Sequence, residues 1–208
     1  RRVKEEVISQ LRELGHTVYD CTCDNGTGQT DVLQKIVAKC NAHEVDLDVS
    51  IHFNSGAGDQ AGNDKTTGVE AYVYSASSAA KSYAEKICQA VADQGFRNRG
   101  VKYSTTLYVL KHTKAPAVLV ECCFVDDRDD VELYDYQKMA AAIVYGITGQ
   151  SIQESQETAP ADPGEETPVG NPKELYRVQV GAYGVKGNAD AMKARLQAAG
   201  FDAIIVKA

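Results

Sequence analysis

The chain is short of positive charge. It carries 22 Lys and Arg against 29 Asp and Glu, a formal net charge of -7 over 208 residues. A protein whose main activity is gripping a phosphate backbone needs a basic patch, so nucleic acid is excluded as the principal partner. Nowhere does an apolar run approach the ~18 residues of a membrane-spanning helix, so no membrane span is expected. The opening residues, RRVKEEV, hold no apolar stretch of the signal-peptide type. Zinc-knuckle spacing is missing too. Cys21, Cys23, Cys40, Cys88, Cys122 and Cys123 include no Cys-x2-Cys pair, and they read as small buried hydrophobes at the ends of strands and helices. What remains is 43% hydrophobic and 25% charged, enough to bury a core over most of the length. At roughly 150 residues per domain, the chain holds one full domain and something smaller.

Periodicity divides the first part into alternating elements. Val3, Val7, Ile8, Leu11 and Leu14 share a helical face that Gly15 ends, with no N-cap in front. His16 to Cys23 reads as a strand closed by the turn Asp24-Asn25-Gly26. A helix follows over Gln29 to His43, with Val32, Leu33, Ile36, Val37 and Cys40 inward. Then comes a strand over Asp46 to His52, a polar loop over Ser55 to Thr67, a strand over Gly68 to Tyr74 and a long helix over Ser78 to Gly95. Leu107 to Leu110 and Ala117 to Val120 read as short strands, and Tyr136 to Tyr145 as a closing helix. Alternation of this kind predicts an α/β domain over 1–149, with a mostly parallel mixed sheet flanked by helices. From 150 to 173 the chain turns acidic and Pro-rich, with Pro160, Pro163, Pro168 and Pro172, and reads as an extended, disordered linker. Residues 174–208 follow a β-α-β pattern: a strand over Tyr176 to Val180, a helix over Asn188 to Ala199 and a strand over Ala203 to Val206. That piece is too short to fold alone without a disulfide or metal.

Two residues carry candidate chemistry. His52 ends one apolar strand and Glu121 ends another. In a parallel sheet both fall at the carboxyl edge, where open α/β sheets place their sites. A carboxylate after four apolar residues sits in poorly solvated surroundings, which raises its pKa toward that of a useful general base. A histidine and a carboxylate at one edge are the minimum for metal-assisted hydrolysis, yet either residue alone is as often structural. Zinc needs about three protein ligands. His16 and His43 are expected at the opposite edge, which leaves His112, in a loop before Pro116, as the remaining geometric candidate.

The segments CNAHEVDLDVSIHFNSG, TTGVEAYVYS, NRGVK and LYVLKHTKAPAVLVECCFVDDRDD, in that order and with the closing helix, resemble the zinc-dependent N-acetylmuramoyl-L-alanine amidases of the amidase-3 type. The resemblance implies a bacterial peptidoglycan hydrolase acting at the cell wall, or in a phage or spore. It would cleave the amide between N-acetylmuramic acid and L-alanine with a zinc-activated water. It maps a metal-ligand histidine of a Ser-x-His-x-Asn motif onto His52, and the catalytic glutamate of a Val-Glu-x-x-Phe motif onto Glu121, with Phe124 in place. The family's two other ligands, a histidine in a Gly-His loop and a glutamate opening the first helix, have no counterpart. Glu5 and Glu6 lie too far into the helix, so the expectation is a segment ahead of Arg1 and little activity from this chain alone. Asn54 is expected to orient the loop after His52, and Arg99 and Lys102 to face an acidic stem peptide or solvent.

The tail YRVQVGAY…NADAMKARLQAAGFDAIIV resembles the first half of a SPOR domain, a unit that binds peptidoglycan glycan strands. Gln179, central in its first strand, is the candidate sugar contact. Peptidoglycan is then the expected partner, through both stem peptide and glycan, and a monomer is expected. Two other readings stay open: a non-catalytic wall-binding or regulatory protein on the same fold, and a cysteine hydrolase pairing Cys122 or Cys123 with His52.

Overall fold

The computed structural model describes residues 1–151 together with Lys186, Asp190 and Lys193. Two compact units are present, Arg1–Glu157 and Thr158–Ala208. In the second, Lys186, Asp190 and Lys193 are helical, and Lys186 Nζ lies 2.8 Å from Asp190 Oδ2 one turn on. The linker beyond Ser151, the two tail strands, most of the tail helix and Gln179 lie outside the described residues.

In the first unit, β1 (Asp48–Asn54), β2 (Val69–Val73), β3 (Asn98–Tyr103) and β4 (Ala117–Phe124) form one four-stranded sheet in the order β1-β4-β2-β3. β1 runs parallel to β4 and β2 parallel to β3, while β2 and β4 are antiparallel. The sheet is therefore mixed, and its outer pairings are the parallel ones. The helices are α1 (Arg2–Glu13), α2 (Gln29–Cys40), α3 (Lys81–Ala92), α4 (Tyr108–His112), α5 (Arg128–Leu133) and α6 (Tyr136–Thr148).

Period-two alternation in β4 separates two cores. Val118, Val120 and Cys122 join a cluster with Val3 and Val7 of α1, Ile87 and Val91 of α3, and Met139 and Ile143 of α6. Ala117 and Leu119 join a smaller cluster with Val37 of α2 and Val109 and Leu110 of α4. The larger core closes tightly. A Cβ on Gly146 would lie 2.6 Å from Ile87 Cα, so only glycine lets α6 approach α3 this closely. On α2 the expected inner face is thinner than its pattern suggests: Val37 is buried, whereas Val32, Leu33, Ile36 and Cys40 are half-buried.

Several elements differ from the sequence reading. His16 to Cys23 is not a strand. Among the described residues no strand lies beside it to complete a ladder, and it is tied down by side chains instead. Lys4 Nζ meets Asp20 at 2.7 Å, Lys39 Nζ donates to the Thr22 carbonyl at 2.6 Å, and Tyr19 stacks on His43 at 3.7 Å. Leu107 to Leu110 begins a helix, not a strand. Ser104 Oγ accepts from the backbone N–H groups of Thr106 and Leu107, a hydroxyl-capped turn that launches α4. β3 falls where the sequence reading assigns no element, because its polar sequence NRGVKY hides an edge strand. α5 was not anticipated; the Asp127 side chain caps it by accepting from the N–H of Asp130.

Candidate active site

Strand register assembles the site. His52 on β1 lies opposite Glu121 on β4, and Glu121 lies opposite Glu70 on β2. Directly opposed residues point to the same face, so one imidazole and two carboxylates stand in a row across three strands. Alternation puts them on the face of Ala117 and Leu119, under α2 and α4. Those helices bury Ala117 and Leu119, but two residues further on Glu121 is half-buried and His52 exposed. The row begins where the helical cover ends. Both ends of it are bulged: the register slips between His52 and Asn54 on one side and between Val69 and Ala71 on the other. Bulges of this kind re-aim side chains at sheet ends.

The two carboxylates in the row have opposite surroundings. Glu121 Oε2 is buried with no hydrogen-bond partner among the described residues. Loss of water, and then the charge of Glu70, push its carboxyl up to about 6. Glu70 is 2% exposed, and burial alone would push it up as well. Hydrogen bonds from Lys102, Arg99 and Tyr72 outweigh that and hold it at about 2. Arg99 Nε lies 2.7 Å from Glu70 Oε2, and Lys102 Nζ shares the same oxygen. Oε1 accepts from Tyr72 Oη at 2.8 Å and from Asn54 Nδ2 at 2.9 Å. Although His52 is exposed as a residue, loss of water around part of its ring lowers the imidazole from its ordinary value, which favours the neutral form.

Sequence reasoning missed Glu70. Its signal was present: an acid inside the buried run GVEAYV has to find cations, and NRGVK supplies two. Asn54 is a joint between strand and loop, its Oδ1 accepting from Ser55 N at 2.8 Å while its Nδ2 holds Glu70. The loop beyond is fastened by the aspartates that follow Phe124. Asp126 accepts from Gly56 N and Gly58 N at 2.8 and 3.0 Å, Asp127 from Thr67 N at 3.0 Å, and Asp129 from Asn63 N at 2.8 Å. Fully buried Asp130 accepts from Gly68 N and Phe124 N. The acidic run DDRDD is thus a clasp rather than a solvated surface.

The other candidates do not gather at the row. His112 ends α4, stacks on Tyr108 at 4.0 Å and bonds the Tyr108 carbonyl, near the start of β4 rather than its end. His43 is stacked on Tyr19. His16, His43 and His52 all line a cavity of about 870 Å3 beside β1, but Glu121 and Glu70 do not. Cys122 and Cys123 are buried, and burial pushes both thiols up, Cys123 to about 12, so neither is a ready nucleophile. Cys21, Cys23 and Cys40, expected to be buried, are half-exposed. Zinc requires about three protein ligands. Among the described residues no group of three His, Cys, Asp or Glu side chains is placed to hold a metal ion. His52 presents one suitable donor, so these residues do not complete a zinc site.

The chain and its fold are similar to those of known proteins. Over 183 residues the chain is 33% identical to the N-acetylmuramoyl-L-alanine amidase CwlM of Bacillus licheniformis, covering 86% of this chain and 63% of that one. It is 29% identical over 163 residues to a sporulation-specific N-acetylmuramoyl-L-alanine amidase of Bacillus subtilis, covering 77% and 56%. In three dimensions it matches the catalytic domain of an endolysin targeting Clostridia difficile, with a TM-score of 0.62 and 26% identity over 72% of this chain and 81% of that one. The chain spans about half the length of the first curated relatives it matches, 45%, 63% and 38%. Residues 162–208 match the SPOR domain profile. Residues 1–149 match the Amidase_3 profile, and the chain belongs to that family, described as N-acetylmuramoyl-L-alanine amidase.

Proposed function

We propose that this chain is the catalytic part of a peptidoglycan amidase, cleaving the amide between the lactyl group of N-acetylmuramic acid and L-alanine. One observation carries the reading: Glu121, with a buried oxygen that has no partner among the described residues, stands opposite His52 on the open face of the sheet, in the carboxyl halves of two parallel strands. A carboxyl with a pKa of about 6 is basic enough to take a proton from water near neutral pH and acidic enough to return it. Glu121 takes the proton of the attacking water and hands it to the leaving amine of L-alanine. Asn54 holds the strand end and its loop in place. His52 is the one ligand these residues bring to a zinc ion, which would supply electrophilic activation when bound.

The SPOR-type tail, with Gln179 as a sugar contact, holds the catalytic unit on glycan through the acidic linker and raises its local concentration there. These assignments place the protein at a bacterial cell wall, or in a phage or spore. The incomplete ligand set favours one second reading, a wall-binding protein on an amidase fold without catalysis. Activity and metal measurements separate the two. In a preparation that hydrolyses purified wall, Glu121→Gln is expected to lose at least a hundredfold in rate, in line with the usual worth of a general base. Unchanged hydrolysis would remove Glu121 from its role. For this 208-residue chain, metal analysis after dialysis is expected to find well under one zinc per chain, and stoichiometric retention would show that the ligand set is complete after all.

A further inference from the structure

The charged row continues past Glu70 into a feature that water-driven hydrolysis does not use. On β3 the register slips between Val69↔Asn98 and Ala71↔Val101, so Arg99 and Gly100 share the place opposite Glu70. Gly100 has φ +75, a left-handed conformation that suits glycine, and its N–H donates to Asn98 Oδ1 at 2.9 Å. This bulge delivers Arg99 to the row. Its Nε is committed to Glu70, and its guanidinium lies over the Phe124 ring, 4.9 Å from the centroid. Among the described residues neither Arg99 Nη donates to a protein group. Lys102 lies beside it, its Nζ on the same Glu70 oxygen and its side chain 38% exposed.

Two cations on one buried carboxylate leave one positive charge over, at a single spot of a chain with a net charge of -7. A guanidinium placed over an aromatic ring, fastened at Nε and with neither Nη bonded to a protein group among the described residues, presents the fork that takes a carboxylate in two parallel hydrogen bonds.

We propose that Arg99 and Lys102, fixed by Glu70, form a subsite for a free carboxylate of the stem peptide, so that the site prefers acidic over amidated stems. This rests on the muramyl-peptide reading above and adds a specificity to it. Glu70 is then a positioning residue: it aims the fork and neutralises part of its charge.

The test is a pair of titrations followed by NMR on the isotope-labelled 208-residue chain, without added metal so that the ligand survives. The probes are N-acetylmuramoyl-L-alanyl-D-glutamate and its diamide. The diacid is expected to bind about tenfold more tightly, the usual worth of charge-assisted hydrogen bonds. The preference is expected to vanish in Arg99→Gln and to shrink in Arg99→Lys, which keeps the charge but loses the fork. If Arg99→Gln loses its native spectrum, Lys102→Gln is read instead, with a preference reduced several-fold. Equal affinity of the two probes for the unaltered chain, or an unchanged preference in these variants, would overturn the subsite and leave the muramyl-peptide reading standing. Failure of both probes to bind at millimolar concentration would overturn the two together.

Discussion

On one face of β4, Val118, Val120 and Cys122 are sealed against α1, α3 and α6. On the other, Ala117 and Leu119 are covered by α2 and α4, and Glu121 is not. The two faces belong to one eight-residue strand, AVLVECCF, and differ only in how far the helices reach along it. Stability lies with the closed face and chemistry with the open one, where the cover ends over a polar row. Truncation on the closed face is therefore expected to be the costliest change. Ile143→Ala, at a position with no exposure, should lose about 2–5 kcal/mol in denaturant unfolding while leaving the His52 NMR titration unmoved. Leu119→Ala, in the smaller core, should lose less. If the two cost the same, the contrast between the faces is wrong.

The second test strikes the row. Glu70 is nearly fully buried, and its cations would be left facing an empty place in Glu70→Ala, so a loss of about 3 kcal/mol is expected. Glu70→Gln keeps two acceptor sites on one oxygen and should lose less. Its pH dependence has a definite sign. The folded-state value of about 2 lies below the ordinary 4.5, so the carboxylate adds stability above about pH 4.5 and loses it as pH falls toward 2. The gap between wild type and Glu70→Gln in urea midpoint should narrow across that window. A constant gap would mean the ion pairs contribute nothing.

Much of this architecture was legible because burial imposes periodicity. The 3.6-residue pattern of α1, α3 and α6 and the apolar runs of β1, β2 and β4 all face a core, and each appears within a few residues of its expected place. Short elements with only one or two core residues were missed or misread. β3 is an edge strand whose polar residues serve Glu70, and α4 begins with a hydroxyl-capped turn rather than an apolar stripe. His52 and Glu121 could be paired from sequence because parallel strands set matching positions side by side, although β1 and β4 run past them to Asn54 and Phe124. Glu70 could not, since β2 runs antiparallel to β4 and brings the residue near its start to the end of its neighbour. The aspartates of DDRDD carry no role in the sequence reading, because nothing local shows that they reach back about 60 to 70 residues to backbone N–H groups. Asp130→Ala, which leaves the Gly68 and Phe124 N–H groups buried without that acceptor, should cost about 1–3 kcal/mol and raise amide exchange at both residues.

The smallest expected effect separates the two carboxylates facing each other across β4 and β2. Glu121 is displaced in the opposite direction from Glu70, with a folded value of about 6 against the ordinary 4.5. For an acid whose pKa rises on folding, the protonated form is favoured in the native state. Ionisation then destabilises the fold above about pH 6, and the penalty is relieved as pH falls toward 4.5. Glu121→Gln removes the ionisation, so it should be slightly more stable than wild type near pH 7.5, and the two should converge near pH 5. Thermal melts at the two pH values read this directly. A neutral amide that destabilises the chain at both would mean that Glu121 is held by a partner, and that the open face is not where a free base waits.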